Sequence, residues 1–278
     1  MEERSSCRTG GFALLIVLWV LVLIGLIAGH VASVGRTEIL IANNLSNNAQ
    51  AQAARDGAID ATIFNLLKPP DQHWVADGEP HIFNIGASKV IVRITDEAGR
   101  VNPNLASQQL LEALFLATGN DPDTARQLAI AIDQWIGTNK TGARGDDVAR
   151  EYEAAGLDYA PPVEPIQTIE ELKQVIGMSP DIVNTLRPHL TLYGPAQPNP
   201  AVADPAVIAA LTLLQEGRIS TGNPRTPSQI EEGPRALRIF ARADGPRDAV
   251  SSATVIVRLT DMQTQPYVLQ SWEDDSID

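Results

Sequence analysis

The sequence predicts an α+β fold with a long N-terminal helix and a sheet into which a large all-α segment is inserted. Three observations indicate this fold: an apolar N-terminal stretch that continues as an amphipathic helix, strand patterns around residue 90 and at the C-terminal end, and helix patterns between them. Strands on both sides of a helical block favour pairing with one another. The block is therefore expected to be an insertion within one α+β arrangement.

The chain opens with an uncharged apolar stretch. No charged side chain occurs between Arg8 and Arg36, and residues 12–29 include no strongly polar one. As a helix, residues 12–35 would extend about 36 Å at about 1.5 Å per residue, which is enough to cross a hydrocarbon core of about 30 Å. We therefore predict a transmembrane segment over 12–35.

A cleaved secretory signal and a lipoprotein anchor are competing interpretations of this stretch. The apolar region of a secretory signal is shorter, about 7–15 residues, and ends at a small-residue cleavage site. In a lipoprotein the acylated cysteine follows the apolar region, whereas Cys7 precedes it. Both features favour a helix that stays on the protein as an anchor.

Residues 36–67 continue this helix beyond the apolar stretch. Apolar residues recur there at helical spacing, and Pro69 and Pro70 are expected to end the helix. The predicted apolar face consists of Ile39, Ala42, Leu45, Ala49, Ala53, Ile59, Ile63 and Leu66.

Strand patterns flank the middle of the chain. Residues 81–85 and 89–95 are rich in β-branched side chains, and Gly86 supplies a turn between them. Three closing strands are predicted at 236–243, 252–259 and 265–272, with turns at Asp244-Gly245 and Thr264-Gln265.

The middle of the chain is predicted to form a series of helices. Residues 105–136 form two of them, the second capped by Asp121 with Pro122 at its first position. Thr168 and Glu171 have the spacing of a capping box. Further helices are predicted at 147–155, 169–177, 180–190 and 205–217.

Composition excludes several functional classes. The chain has 278 residues, a net charge of −13, 44% apolar residues and 5% aromatic residues. The apolar content excludes a disordered chain, while the negative charge and the few aromatic residues argue against a nucleic-acid-binding protein. A single cysteine, Cys7, excludes an intramolecular disulfide and a cysteine-based zinc site.

The segment before the apolar stretch resembles the processing site of type IV pilin-like proteins. It reads MEERSSCRTGG and is followed by Phe12. The resemblance implies cleavage by a prepilin peptidase between Gly11 and Phe12 and N-methylation of Phe12. Pilins of this class carry a glutamate where this chain has Ile16. That glutamate is thought to pair with the subunit above, so its absence favours a subunit at the tip of a filament.

Three internal segments and the terminal strand pair resemble the general secretion pathway protein K (GspK) family, which are minor pseudopilins of type II secretion systems. The segments are 96–107 (DEAGRVNPNLAS), 130–135 (IAIDQW) and 168–194. The resemblance extends over nearly the whole chain. It implies a pilin-like fold, in which the long helix packs on the sheet, with a large helical insertion domain.

The resemblance also implies a domain plan and a role. The expected parts are a leader (1–11), a membrane half of the pilin helix (12–35), a periplasmic pilin-like domain (36–96 and 235–278) and an inserted helical domain (97–234). The implied role is to cap the tip of the periplasmic pseudopilus and help its assembly. The implied partners are minor pseudopilins of the GspI and GspJ type, the major pseudopilin and the prepilin peptidase, at the bacterial inner membrane.

Other interpretations of the same residues stay open at this point. Asp96–Arg100 could be a strand-ending turn with Gly99 at positive φ. Residues 169–190 have the pattern of a helix-hairpin-helix DNA module around Gly177, although Lys173 is the one cation near that glycine.

Some relatives bind calcium after the tryptophan that corresponds to Trp135. Here Gly137 and Asn139 stand where acidic residues are common, so the site is depleted; we expect no cofactor, and calcium stays open as the alternative. The acidic residues that remain are Asp133, Asp146, Asp147 and Glu151.

No motif of an enzyme occurs in the sequence, so we expect no catalytic activity. Three rivals to the pseudopilin hypothesis remain: a minor pilin of a type IV pilus, a membrane-anchored periplasmic DNA-uptake protein, and an unprocessed membrane-anchored domain.

Overall fold

The computed structural model describes residues 10–69, 71–137, 145–217, 235–260, 262 and 264–275. It has the α+β fold that the sequence predicts. The helices are α1 (Gly10–Leu66), α2 (Gln108–Ala117), α3 (Pro122–Ile136), α4 (Gly145–Ala154), α5 (Pro180–Leu186) and α6 (Pro205–Gln215), and the strands are β1 (Asp77–Ile85), β2 (Ser88–Asp96), β3 (Ala236–Asp244), β4 (Val250–Leu259) and β5 (Tyr267–Asp275).

The five strands form one antiparallel sheet in the order β1-β2-β3-β4-β5. Every strand therefore pairs with its neighbours in the chain, which is the simplest connection for an antiparallel sheet. Gly86 forms the predicted turn between β1 and β2 at a φ of 59°. The helices α2–α6 all lie between β2 and β3, and these two strands pair directly, with Asp96 opposite Leu237.

Only the C-terminal end of α1 packs on the sheet. Its buried face begins at Ala51, and alanines at this face let the helix approach β2, β3 and β4 closely. The first hydrophobic core combines this face with the inward side chains of the strands, such as Val92, Ile239 and Val255. The buried residues of the helix face are Ala51, Ala54, Ala58, Ile59, Ile63 and Leu66.

The burial of α1 differs in part from the apolar face that the sequence predicts. Ile59, Ile63 and Leu66 are buried as expected, but Ala49 and Ala53 are exposed. The sheet covers the helix from Ala51 onwards, which leaves Ala49 before the covered part, while Ala53 lies on the side of the helix opposite the buried Ala51. A sequence period alone does not say where a covering surface starts.

The helical insertion has its own hydrophobic core, formed by residues between Val101 and Leu211. Tyr152, Phe115 and Leu172 are among its fully buried side chains. The predicted cap of α3 is present, because the Asp121 carboxylate accepts the N–H of Thr124 at 3.0 Å.

One predicted helix of the insertion is shorter and tighter than expected. Residues 169–177 were predicted as an α-helix, but Ile169–Gln174 forms a 3-10 helix and Val175 is already extended. Gly177 follows at a φ of 80°. The Thr168–Glu171 capping contact is present, with the Thr168 N–H donating to the Glu171 carboxylate at 3.0 Å.

Candidate functional site

The first candidate site is the exposed N-terminal part of α1. Phe12–His30 has a mean hydropathy of 3.0, and none of it is buried by the rest of the chain. By length and composition this helix can span a bilayer. Phe12 is 72% exposed and Ile16 is 49% exposed, so the predicted terminus and the tip-marker position both face away from the protein.

The exposure continues beyond the apolar stretch. Ile39, Leu40, Ile41 and Leu45 are also exposed, and they lie before the helix meets the sheet at Ala51. Residues 12–50 extend about 58 Å at about 1.5 Å per residue, and no side chain among them whose burial is described is buried, so we call this part the free helix. The apolar part of its surface, Phe12–His30, leaves water only by entering lipid or by packing against other apolar helices.

Of the predicted site residues, Gly11, Phe12 and Ile16 lie on this same free helix. Leader residues 1–9, including Cys7, lie outside the described residues. Cleavage after Gly11 and N-methylation of Phe12 stay predictions.

The second candidate site is the junction between the sheet and the insertion, at the end of β2. Asp96 caps the first turn there, because its carboxylate accepts the N–H of Ala98 at 2.9 Å. The same carboxylate is 2.7 Å from Nη2 of Arg235, the residue that leads into β3. Asp96 is therefore bonded to both chain segments that join the insertion to the sheet.

Glu97 is the centre of this junction. Its carboxylate is fully buried and binds two arginines, Arg100 at 2.6 Å and Arg238 of β3 at 2.7 Å. It also accepts the hydroxyl proton of Thr191 from the insertion. Burial lowers the pKa of the Arg100 guanidinium, and the charge of Glu97 opposes that shift. A buried carboxylate needs such partners, because an unpaired buried charge is costly.

Gly99 has a different role from the one expected. The turn reading requires positive φ, but Gly99 is absent from the residues with positive φ in the described part of the chain. Instead, an added Cβ would lie 2.7 Å from the carbonyl carbon of Val202. The glycine is needed because the backbone of the insertion passes directly over it.

The two asparagines of the same motif hold the insertion together. The Asn102 side chain donates to the carbonyl oxygen of Gly194 at 3.0 Å. Asn104 exchanges two hydrogen bonds with the backbone of Ile166, at 2.9 and 2.8 Å. The polar residues of the motif thus bind the backbone of the insertion. Their role is larger than that of a strand-ending turn, because they help to join the insertion to the sheet.

The DNA-module interpretation of the hairpin finds no support in its backbone. In that interpretation the amides around Gly177 would face phosphate. Here the Ile176 N–H donates to the hydroxyl of the buried Tyr152 at 3.0 Å, and the Met178 N–H donates to Val175 at 3.0 Å. Burial raises the pKa of the Tyr152 phenol. Lys173 pairs with Glu170 at 3.4 Å.

The acidic residues considered for calcium lie on two different helices in the described part of the chain. Asp133 lies on α3, while Asp147 and Glu151 lie on α4, and Asp147 binds Arg150 at 2.9 Å. Asn139 and residues 138–144 lie outside the described residues. Within the residues that the structure describes, no group of three or more His, Cys, Asp and Glu side chains is arranged to hold a metal ion.

Sequence reasoning missed the partners of Glu97. Thr191 lies 94 residues away and Arg238 lies 141 residues away. Arg238 occurs in a strand of alternating residues, where an arginine normally indicates the solvent side. The acidic-Ala-Gly-Arg motif was the one feature of the sequence that could have indicated a structural role for Glu97.

Comparison with known proteins gives three consistent matches. A family model described as type II secretion system protein K matches residues 83–196. The type II secretion system protein K of Klebsiella pneumoniae is 23% identical over 245 residues, which cover 80% of this chain and 72% of that protein.

A solved structure shares the fold. One chain of the GspK–GspI–GspJ complex from the type 2 secretion system of enterotoxigenic Escherichia coli superposes with a TM-score of 0.55. The match has 17% identity and covers 87% of this chain and 99% of that chain. The matched family segment, the relative of the same name and the shared fold agree with the apolar helix and the junction motif, and together they support similarity to the type II secretion system protein K family.

Proposed function

We propose that this chain is a minor pseudopilin that caps the tip of the periplasmic pseudopilus of a type II secretion system and helps its assembly. In this role it serves the export of folded proteins across the outer membrane. The observation that carries the proposal is the exposed apolar helix segment Phe12–His30, on a fold shared with a chain of the GspK–GspI–GspJ complex.

The free helix supports assembly as the mechanism. Before assembly, Phe12–His30 would be solvated by lipid, which fits an inner-membrane location with the globular part in the periplasm. In a filament the same surface would pack against the helices of neighbouring subunits. We infer partners of the GspI and GspJ type, the major pseudopilin and the prepilin peptidase.

The insertion supports the tip position. It adds a second core beside the sheet, so a subunit of this shape fits the end of a filament better than its body. Ile16 is consistent with this position, since an apolar side chain there offers nothing to the terminal amine of a subunit above. The proposed role needs neither a catalytic residue nor a cofactor, because packing of helices supplies the mechanism.

The experiment that tests the proposal is the mass of the N-terminal peptide, from cells with and without the prepilin peptidase. We expect a peptide that begins at N-methylated Phe12 only when the peptidase is present. A Gly11→Val variant should keep its leader, because a β-branched side chain then occupies the cleavage position. Gly10→Val is the matched control and should be cleaved normally.

The secretion system itself provides the second readout. Loss of the chain should leave exported proteins in the periplasm. An intact leader in both cell types would contradict the proposal and leave a simple membrane-anchored domain. Normal secretion together with lost surface pili would identify a minor pilin of a type IV pilus instead.

A further inference from the structure

The insertion joins the sheet at two adjacent points. The chain leaves at the end of β2 and returns at the start of β3, and Asp96 is paired with Leu237 across these strands. Neighbouring strands are about 4.8 Å apart. Two connections so close together define a hinge axis, so the covalent chain alone would let the insertion rotate about the line between them.

Glu97 binds groups on both sides of that axis. Arg238 belongs to β3 and is held at 2.7 and 3.2 Å through Nε and Nη2. Thr191 belongs to the insertion and donates its hydroxyl proton to the same carboxylate. A two-pronged arginine contact fixes direction as well as distance. The bonds of this one side chain therefore oppose rotation of the insertion against the sheet.

Close backbone packing supports the same carboxylate. An added Cβ at Gly194 of the insertion would lie 2.8 Å from the carbonyl oxygen of Glu97. The Asn199 N–H donates to the carbonyl oxygen of Ala98 at 2.7 Å. The segment that carries Glu97 is thus held by the insertion, while its carboxylate is bound to the sheet.

We propose that Glu97 is the positioning residue that fixes the orientation of the helical insertion relative to the sheet, and that assembly into a filament depends on this orientation. The second half of this inference rests on the proposed function. A subunit at a filament end must present its insertion and its free helix in one fixed relation. A loose insertion would present a different surface in each molecule.

The test measures the distance between the two parts in the full-length protein in detergent. Spin labels at Asn84→Cys in β1 and Gln127→Cys in α3 occupy exposed positions on the sheet and the insertion. Cys7→Ser removes the one native cysteine. Pulsed electron paramagnetic resonance should give one narrow distance for this parent. Glu97→Gln should lose the narrow peak and give a broad or shifted distribution.

A second variant and a control keep the test decisive. Thr191→Val removes the hydroxyl contact to Glu97, together with the bond that the hydroxyl accepts from the Tyr193 N–H inside the insertion, and leaves all charges paired. It serves if Glu97→Gln fails to fold. Glu112→Gln is the matched control: its mostly buried carboxylate pairs with Arg126, and both residues lie within the insertion. This control should keep the narrow peak. A narrow, unshifted peak in folded Glu97→Gln and Thr191→Val would overturn the proposal.

Two cellular readouts separate this inference from the proposed function. The loosened variants should be processed between Gly11 and Phe12 as the parent is, yet secrete less. Full secretion by a variant with a broad distance distribution would show that assembly does not need the orientation. An unprocessed parent would contradict the pseudopilin role and leave the distance measurement unaffected.

Discussion

Gly99 and Gly57 show how the surroundings of a residue decide the effect of the same substitution. A Cβ at Gly99 would collide with the backbone of Val202, and backbone cannot rotate away as a side chain can. A Cβ at Gly57, inside α1 and nine residues before its end, would meet only Ile85, at an ordinary 3.9 Å. The two sites therefore differ in the space that an added methyl group finds.

We expect Gly99→Ala to lower the free energy of unfolding by on the order of 1–3 kcal/mol, the usual cost of overpacking. Gly57→Ala should raise it by about 1 kcal/mol, because alanine is the better helix former. Chemical denaturation of both variants in the same detergent measures the two values. Equal changes of the same sign would contradict the described packing at Gly99.

At the scale of elements, β2 and β3 form a hairpin whose loop is the entire insertion. Because Asp96 and Leu237 are partners, replacing residues 97–236 by Asn-Gly would close the hairpin with a two-residue turn. We expect this variant to keep its sheet and its N-terminal processing but to lose secretion. Circular dichroism, protease resistance and the N-terminal peptide mass measure these outcomes.

The matched control for this deletion is one residue longer. Replacing residues 97–237 by Asn-Gly would shift β3 by one position against β2. A shift of one residue turns every side chain of a strand to the opposite face, so Ile239 would leave the core. This control should fail to form a stable sheet. If it proved as stable as the first deletion, the described register of β3 would be wrong.

The elements also show what could be predicted from the sequence. Local chemistry predicted α3 and the first hairpin. Asp121 and Pro122 start α3, and Gly86 forms the turn between β1 and β2, and each of these residues acts on its neighbours in the chain. Glu97 looked like part of a turn because its partners are distant in the chain. The exposed Ala49 was misplaced because helical period does not reveal where the sheet begins to cover α1. Contacts between distant segments therefore remained hidden.

At the scale of the whole molecule, the two cores and the free helix are separate. Among the residues whose burial is described, neither core uses one before Ala51. A chain that begins at Glu38 should therefore need no detergent and should unfold at the same temperature as the full-length protein, compared in one detergent. Calorimetry measures this temperature, and light scattering in water measures the association of the two forms.

A longer truncation provides the control. A chain that begins at Ile59 lacks Ala51, Ala54 and Ala58, which pack against the sheet, and also Arg55, whose guanidinium is 2.8 Å from Asp274 on β5. It should unfold at a clearly lower temperature. If the chain from Glu38 were equally destabilised, the free part of α1 would contribute to the globular fold after all.

The free helix also limits how this protein can leave a membrane. The large apolar side chains between Phe12 and Ile27 are all exposed, and there are fourteen of them. Transfer of one such side chain into water costs about 1.5–3 kcal/mol, so withdrawing the helix alone requires work of about 20–40 kcal/mol. Thermal motion does not supply that work. Withdrawal must therefore proceed together with docking onto other helices, or be driven by a machine that consumes chemical energy.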